Sequence, residues 1–317
     1  MKILITGITG LFGSYLAKEF SSLGEIHGLK REGSSTRLLD QADFPIQWHE
    51  GDLNDFDSLE TALQGMDLVI HAAGMVSFSP SDSNELYQVN VKGTANLIDA
   101  MLAAGIKKLI HISSVAAIGR SSETNTIDEK FKWVESSLNT EYAVSKYCGE
   151  LEAWRGEQEG IELIVVNPSI LLGKIEDERS STTIYDYVLE EHKYFPVGNV
   201  NFLDVRDAVE MTRRLYEKGV WGDRFILNAG SIPYFDFFQQ MAQVFGKKAP
   251  AKKATGFLLN LAVWFAGFSR FLGLSKNPLN KKTALISSQK ISYDNSKVTG
   301  LLNFEYRPLK ETFLWAK

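Results

Sequence analysis

The sequence has a single cysteine, Cys148, so the chain cannot form an internal disulfide bond. A reducing compartment is the default for such a chain, and we expect a cytoplasmic protein. The sequence also lacks an excess of positive charge, because its formal net charge is −5. Proteins that bind phosphate backbones are usually basic, so nucleic acid is not expected as a partner. With 44% hydrophobic and 23% charged residues, the chain should fold as a globular protein.

Long hydrophobic runs are missing as well. The apolar run at residues 3–5 is too short for a signal peptide. The most apolar stretch covers residues 257–274, and a membrane-spanning helix needs about 20 apolar residues. Three polar or charged residues interrupt this stretch: Asn260, Ser269 and Arg270. Three lysines flank it: Lys252, Lys253 and Lys276. No transmembrane segment is expected. Peripheral contact with anionic lipid stays open, but a packed lobe or lid helix is favoured.

Short, continuous apolar runs recur at residues 3–5, 26–29, 68–70, 109–112 and 163–166. Such runs are typical of strands buried on both faces, so a parallel sheet is predicted. Segments with helical apolar spacing lie between or beside them, at residues 11–20, 59–63, 86–102 and 142–154. This alternation predicts a doubly wound α/β fold. After Pro168 it loosens, and we expect helices near 183–191 and 205–216, a strand at 224–227 and mostly helical structure thereafter.

A glycine-rich segment follows the first predicted strand and opens the first predicted helix. Its residues include Gly7, Thr9, Gly10, Leu11, Phe12 and Gly13. Glycines in that position let the backbone approach a pyrophosphate group at a helix N-terminus, although glycines are also common turn residues. The segment therefore predicts a dinucleotide site.

Tyr142 and Lys146 are separated by one helical turn, so their side chains should lie on the same face of a helix. A nearby ammonium favours the phenolate, and we expect the pKa of Tyr142 to lie below its usual value of about 10. Such a tyrosine can act as a general acid and base. Ser113 and Ser114 end the fifth predicted strand and either could join this pair. Alternatively, Tyr142 and Lys146 only form an exposed helix face, and the two serines only cap the end of the strand.

Four further motifs follow in order along the chain. They are Gly51-Asp52-Leu53, His71-Ala72-Ala73-Gly74, Asn90-Val91-Lys92-Gly93-Thr94 and Asn167-Pro168-Ser169-Ile170. With the glycine segment and the Tyr-Lys pair, they resemble the extended short-chain dehydrogenase/reductase family, within the NAD-dependent epimerase/dehydratase superfamily. The later sequence, with Lys30-Arg31, residues 294–300 and Arg307-Pro308, is similar to the branch of dihydroflavonol reductases and 3β-hydroxysteroid dehydrogenases.

This resemblance implies roles for named residues. Tyr142 carries the proton, Lys146 lowers its pKa and binds the nicotinamide ribose, and Ser114, selected by aligning Gly119, holds the substrate oxygen. The implied cofactor contacts also include Asp52, Leu53, Ala72, Ala73, Gly74, Asn90, Ser113, Pro168, Ser169 and Ile170. The alternatives are that Asp52 caps the next helix and that Asn90 holds a helix kink. His71 is interpreted as structural, and no metal site is predicted, since the histidines show no ligand spacing.

The cofactor preference depends on the end of the second strand, where an acid selects NAD and an arginine accepts the 2′-phosphate of NADP. Lys30 and Arg31 stand there, so NADP is favoured over NAD. The alternatives are that Glu32 turns inward or that both cations are only solvated.

The same site residues serve reductases, sugar-nucleotide epimerases and dehydratases. Ser114 is followed by Val115 and Ala116 rather than by an acid pair, which disfavours a dehydratase. An NADP preference suits net reduction, and residues 257–274, with Trp264, suit a hydrophobic alcohol or ketone as substrate. The alternatives are an NAD(P)-dependent sugar-nucleotide epimerase and a catalytically silent cofactor-sensing module.

For the domain organisation, we expect an NADP-binding Rossmann domain of residues 1–170 and 200–230. An interwoven, mostly helical substrate lobe of residues 171–199 and 231–317 should complete the chain. The family resemblance also implies a homodimer formed through the helices that flank the active-site tyrosine.

Overall fold

A seven-stranded parallel sheet forms the centre of the molecule, in the order β7-β6-β5-β4-β1-β2-β3. The computed structural model describes residues 1–177, 183–254 and 280–317. The central strands are β1 Lys2–Thr6, β2 Glu25–Lys30, β3 Ile46–Glu50, β4 Leu68–His71, β5 Lys108–Ile112, β6 Glu162–Pro168 and β7 Asp223–Leu227. The predicted doubly wound parallel sheet is confirmed. No apolar run marks β3, because it is an edge strand with mostly exposed side chains.

Alternate residues of the inner strands face opposite sides of the sheet. Ile3 and Ile5 pack into a core shared with helices on one side, whereas Leu4, Val69 and Leu109 pack into a second core on the other side. These side chains are fully buried, and burial of each contributes about 1.5–3 kcal/mol. Helices on both faces therefore explain the continuous apolar runs of the sequence.

The helices that surround the sheet agree with the predicted helical segments, with one exception. They are α1 Leu11–Phe20, α2 Phe56–Leu63, α3 Ser83–Tyr87, α4 Gly93–Ala103, α5 Val115–Ile118, α6 Glu141–Gln158, α7 Thr183–Leu189, α8 Val205–Lys218, α9 Tyr234–Phe245, α10 Lys281–Ile286, α11 Ser296–Leu302 and α12 Leu309–Ala316. Single 3₁₀ turns lie at Arg37–Leu39, Pro80–Asp82 and Ile175–Asp177.

The exception is the continuous helix predicted over residues 86–102. A π-helical turn at Gln88–Lys92 separates α3 from α4. It packs closely on α6, since a Cβ atom on Gly149 would lie 2.2 Å from the backbone oxygen of Asn90. The apolar spacing of the sequence cannot reveal this turn, because its cause is a contact with a distant helix.

A second, smaller sheet follows the central one and consists of Ile170–Leu172, Asn199–Asp204 and Gly230–Pro233. It packs with α9 and α12 around a core that includes Phe202, Phe237 and Phe313. Two strand pairs complete the described sheets: Tyr194–Phe195 with Lys252–Lys253, and Thr126–Ile127 with Ser292–Tyr293. Mostly helical structure was expected here, but polar residues interrupt strands such as Asn199–Asp204 and Gly230–Pro233, so these leave no continuous apolar run in the sequence.

The last third of the chain contributes to the core of the central sheet and to the core beneath the small sheet. Val298 and Leu302 of α11 pack in the core of the central sheet, whereas Phe313 of α12 packs beneath the small sheet. The predicted division into two interwoven domains stays a prediction. None of the helices in the described ranges is long and apolar enough to cross a membrane. The apolar stretch at residues 257–274 lies outside the described residues.

Candidate active site

The carboxyl ends of β1, β4, β5 and β6 meet at one edge of the sheet, where ligands bind in folds of this kind. Backbone hydrogen bonds fix the segments that leave these strands. Ala72 N donates to Thr6 O at 3.1 Å, and Ser113 N donates to Val166 O at 2.8 Å. Ser169 N donates to Leu227 O at 3.0 Å. The glycine segment and the motifs after β4, β5 and β6 are thereby brought together.

The three glycines of the first loop have different structural reasons. Gly7 has a φ of +69°, and a Cβ there would lie 2.4 Å from Ala73 N. A Cβ on Gly13 would lie 2.2 Å from Gly7 O. Gly10 has an ordinary φ of −85° and its Cβ would meet only Gly7 O, at 3.2 Å. Folding therefore requires glycine at positions 7 and 13, whereas a Cβ at Gly10 would make one tight contact, with Gly7 O.

The start of α1 offers backbone donors to an anion such as a pyrophosphate. Gly10 is the N-cap of α1 and supplies no side-chain cap, so the first backbone N–H groups of the helix can receive an anion. Leu11 and Phe12 turn their side chains into the core, and Thr9 is partly exposed in the loop.

Lys30 and Arg31 differ in their surroundings. Lys30 Nζ donates to Glu50 Oε1 of the adjacent strand at 3.1 Å. Arg31 is exposed, and its guanidinium makes no hydrogen bond or ion pair with residues of the described ranges. Of the two predicted phosphate ligands, Arg31 is therefore the available one.

Asp52 lies after β3 and does not cap α2, because Asp55 is the N-cap and accepts from Ser58 N. The Asp52 carboxylate instead accepts from Asn54 N at 2.8 Å. The alternative that Asp52 caps the following helix is wrong. Leu53 is buried against Gly93.

Ser114, Tyr142 and Lys146 come from two elements that meet at the sheet edge. Thr140 caps α6 by accepting from Ala143 N, so Tyr142 stands in the first turn of that helix. Ser114 lies close enough to Tyr142 to act on its pKa, and Ser114 also caps α5. Lys146 Nζ donates to Ile112 O at 2.9 Å.

Burial decides the protonation behaviour of this pair. It raises the pKa of Tyr142, whereas the neighbouring Ser114 hydroxyl and the charge of Arg120 act in the opposite direction. Burial also lowers the pKa of Lys146 to about 8, against the opposing effect of Glu150. The expected lowering of the tyrosine pKa is therefore wrong for this structure, because desolvation outweighs the nearby positive charge. Lys146 is only 7% exposed, so the pair is not an ordinary exposed helix face.

Asn90 of the π-helical turn holds the loop after β4. Its Oδ1 accepts from Met75 N at 2.7 Å, and its Nδ2 donates to Met75 O at 3.0 Å and to Ser145 Oγ at 2.9 Å. A Cβ on Gly74 would lie 3.7 Å from Lys146 Nζ. The segment Ala72-Ala73-Gly74 thus lies directly beside the lysine. Asn90 itself lies within the π-helical turn at Gln88–Lys92.

His71 is structural, as expected. Its Nδ1 lies 2.7 Å from Thr6 Oγ1 and its Nε2 lies 3.0 Å from Thr94 Oγ1. Because Thr94 Oγ1 donates to Asn90 O, His71 must donate from Nε2 and accept at Nδ1. Burial lowers the pKa of His71 to about 3, so the ring is neutral at physiological pH.

Glu150 is a functional neighbour that the sequence reasoning missed. Its carboxylate is buried and accepts from Ser113 Oγ at 2.6 Å, Asn167 Nδ2 at 2.8 Å, Trp154 Nε1 at 3.2 Å and Arg224 Nη1 at 3.3 Å. The hydroxyl proton of Ser113 is thereby engaged, whereas Ser114 interacts with Tyr142. One helical turn separates Glu150 from Lys146, and this spacing could have indicated its proximity.

Pro168, Ser169 and Ile170 follow Asn167 at the end of β6. Asn167 Nδ2 also donates to Ser114 O at 3.0 Å, which fixes this segment beside α5. Within the described ranges, no group of three or more His, Cys, Asp or Glu residues could hold a metal ion.

Comparisons with known proteins found a matching family, similar sequences and similar structures. The sequence model of the NAD dependent epimerase/dehydratase family matches residues 3–230. A Synechocystis sp. protein provisionally named dihydroflavonol 4-reductase is 29% identical over 315 residues, which cover 97% of this chain and 91% of that protein. The crystal structure of gox2253 is 28% identical, with a TM-score of 0.84, and the similarity covers 99% of this chain and 96% of that chain.

A further solved structure shares the fold with this chain, but has a lower sequence identity. Gre2 from Candida albicans, solved with NADPH, is 20% identical, with a TM-score of 0.77 over 99% of this chain and 96% of that chain. Together with the family match, these similarities confirm the resemblance that the motifs indicated.

Proposed function

This chain belongs to the NAD dependent epimerase/dehydratase family, and on that premise we propose that it is an NADP(H)-dependent reductase or dehydrogenase acting on a ketone or alcohol. That it is an NAD(P)-dependent oxidoreductase follows from the family and from its reductase relatives. The proposal rests on one observation: Ser114, Tyr142 and Lys146 converge beside the glycine segment at the carboxyl edge of the sheet.

Tyr142, Ser114 and Lys146 have different proposed roles in the proton transfer. When bound, the nicotinamide supplies or accepts the hydride. Tyr142 donates the proton to the substrate oxygen during reduction and removes it during oxidation. Ser114 holds the same oxygen with a fixed hydrogen bond as charge develops there. Lys146 contributes positive charge beside the tyrosine and binds the nicotinamide ribose.

Tyr142 keeps its proton at neutral pH, because its pKa lies above the usual tyrosine value. It can therefore act as the acid in reduction. A preference for NADP, which suits net reduction, is supported by the exposed Arg31 at the end of β2.

The site is proposed to bind NADP across the glycine segment, near Asp52 and Leu53, and against Ala72, Ala73 and Gly74. The loop of Pro168, Ser169 and Ile170 would hold the nicotinamide end. We place the enzyme in the cytoplasm, where its single cysteine stays reduced, and propose a homodimer. A cofactor-sensing module without catalysis is disfavoured, because it would not require the proton donor Tyr142.

A cofactor assay with the variant Tyr142→Phe tests this function. Purified protein is mixed with NADPH and a panel of aldehydes and ketones, and NADPH consumption is followed at 340 nm. We expect Tyr142→Phe to lose turnover, by a factor of about 100 or more, while NADPH still binds. Tyr147→Phe is the matched control, because Tyr147 lies on the same helix but stacks on Trp133, and it should retain activity.

Full turnover by Tyr142→Phe would refute the acid–base role and favour the sensing module. Exchange of deuterium at a sugar carbon of a nucleotide sugar, without net NADPH consumption, would instead establish an epimerase.

A further inference from the structure

A cavity of about 100 Å³ lies beside the start of α5. It is lined by Val115, by Ser169 and Ile170, and by residues of the small sheet and of the last third of the chain. Val115 directly follows Ser114 in the sequence, so the cavity borders the segment that carries this site residue.

Two residues that line the cavity, Ser169 and Tyr293, carry hydroxyl groups that form no hydrogen bond with the described part of the chain. Both oxygens are almost inaccessible, in residues only 7% and 5% exposed. Buried polar groups are almost always hydrogen-bonded, because leaving one unsatisfied costs free energy. The wall of the cavity therefore contains unsatisfied polar groups.

Arg120 is the charged residue among the cavity-lining residues within the described ranges. Its backbone N–H donates to Asn139 Oδ1 at 3.1 Å, which fixes its position after α5. Its guanidinium makes no hydrogen bond or ion pair in the part of the chain that the structure describes. By contrast, several other arginines are ion-paired: Arg155, Arg206, Arg213, Arg214, Arg224 and Arg307.

The positive charge of Arg120 affects the pKa of the proton donor Tyr142. It acts to lower the pKa of Tyr142 and that of Tyr234, which lines the same cavity, although burial raises both values overall. Arg120 therefore both lines the cavity and acts electrostatically on the proton donor.

We propose that Arg120 binds an anionic group of the substrate, a carboxylate or a phosphate, so that the enzyme acts on keto or hydroxy acids or on phosphorylated carbonyl compounds. This inference rests on the proposed reductase function and names its substrate class. The guanidinium offers a planar pair of donors that matches either anion. Val115, Ile170 and Ile291, which also line the cavity, contact the apolar part of the substrate. The substrate is thus small and partly apolar, as expected from the sequence, but carries one anionic end.

Matched substrate pairs test the inference. The full chain and NADPH are assayed with 4-oxopentanoate and 3-oxobutanoate, each against its methyl ester, and with dihydroxyacetone phosphate against dihydroxyacetone. We expect kcat/KM to be at least about 10-fold higher for one of the anionic classes than for its neutral partner. The two arms distinguish a carboxylate from a phosphate as the group that Arg120 binds.

Variants then assign this selectivity to Arg120. Arg120→Met should lower kcat/KM for the preferred anion by about 10- to 100-fold more than for its neutral partner. Arg120→Lys, which keeps the charge, should restore part of the loss. Lys132→Met is the control, because it removes one exposed charge nearby and should not alter selectivity. Thermal unfolding of each variant verifies that it is folded.

The outcomes separate this inference from the proposed function. Reduction of the neutral partners as fast as the anions, or an equal loss for both in Arg120→Met, overturns the role of Arg120 alone. If the wild-type chain reduces no member of the panel although it binds NADPH, the proposed function fails, and this inference fails with it.

Discussion

The glycine segment allows folding and cofactor binding to be tested separately, by single methyl groups. In Gly10→Ala, the new Cβ meets only Gly7 O at 3.2 Å, and the backbone φ of −85° suits alanine. Alanine is a poorer N-cap than glycine, but it also reduces the conformational freedom of the unfolded chain by about 0.4–1 kcal/mol. We expect these effects nearly to cancel, leaving the free energy of unfolding within about 1 kcal/mol of the wild type.

NADPH binding should respond differently. A methyl group on Gly10 occupies the space where the backbone approaches the pyrophosphate, so we expect the dissociation constant to rise at least about 10-fold, equivalent to about 1.4 kcal/mol. Titration of intrinsic protein fluorescence with NADPH measures the affinity, and urea denaturation measures the stability.

Two other glycines are the matched controls. In Gly13→Ala the Cβ would lie 2.2 Å from Gly7 O, and such overpacking should cost about 1–3 kcal/mol of stability. Gly300 of α11 has no atom within 4 Å of its Cβ position, so Gly300→Ala should leave NADPH affinity unchanged and be neutral or stabilising. If Gly10→Ala binds NADPH as tightly as the wild type, the cofactor does not lie against this glycine and the reasoning is refuted.

Three further predictions concern other parts of the site. Glu150→Gln should cost about 2–4 kcal/mol of stability in urea denaturation, because its new NH₂ group would face buried donors; a loss no larger than that of the exposed control Glu159→Gln would contradict this. The second prediction concerns His111, a buried residue of β5: the variant His111→Phe should lose less stability at acidic pH than the wild type. Burial holds the pKa of His111 well below 6.5 in the folded state, so the unfolded chain binds the extra proton and wild-type stability falls below about pH 6.5, by about 1.4 kcal/mol per pH unit relative to the variant. If the free energy of unfolding falls equally for the wild type and the variant from pH 7 to pH 6 and pH 5, the lowered pKa of His111 is refuted. Arg31→Glu should weaken NADPH binding more than NADH binding in the same fluorescence titration, and an equal effect on both would exclude the proposed phosphate contact.

The sequence predicted the central sheet well because its strands are buried on both faces. Ile3, Leu4 and Ile5 are fully buried, so selection for apolar side chains leaves an unbroken run that can be recognised. The edge strand β3 leaves no such run. The π-helical turn and the small sheet were also missed, because both depend on contacts between segments that are distant in the sequence.

The candidate site was predictable where its residues follow fixed spacings. Tyr142 and Lys146 are one helical turn apart, and the glycines stand between a strand and a helix. The pKa of Tyr142 was not predictable, since the effect of a neighbouring lysine follows from spacing but desolvation requires the whole fold. Glu150 and Arg120 escaped notice for the same reason: their importance arises from the groups around them.

Transfer of deuterium from NADPH labelled at C4 tests the central claim most directly. The protein is incubated with both C4 epimers of the labelled cofactor, separately, and with the carbonyl compound that it reduces fastest, and the alcohol product is examined by mass spectrometry. We predict that one epimer delivers one deuterium to the carbinol carbon, and that Tyr142→Phe forms almost no labelled product. An alcohol that acquires no deuterium from either epimer would contradict direct hydride transfer at this site.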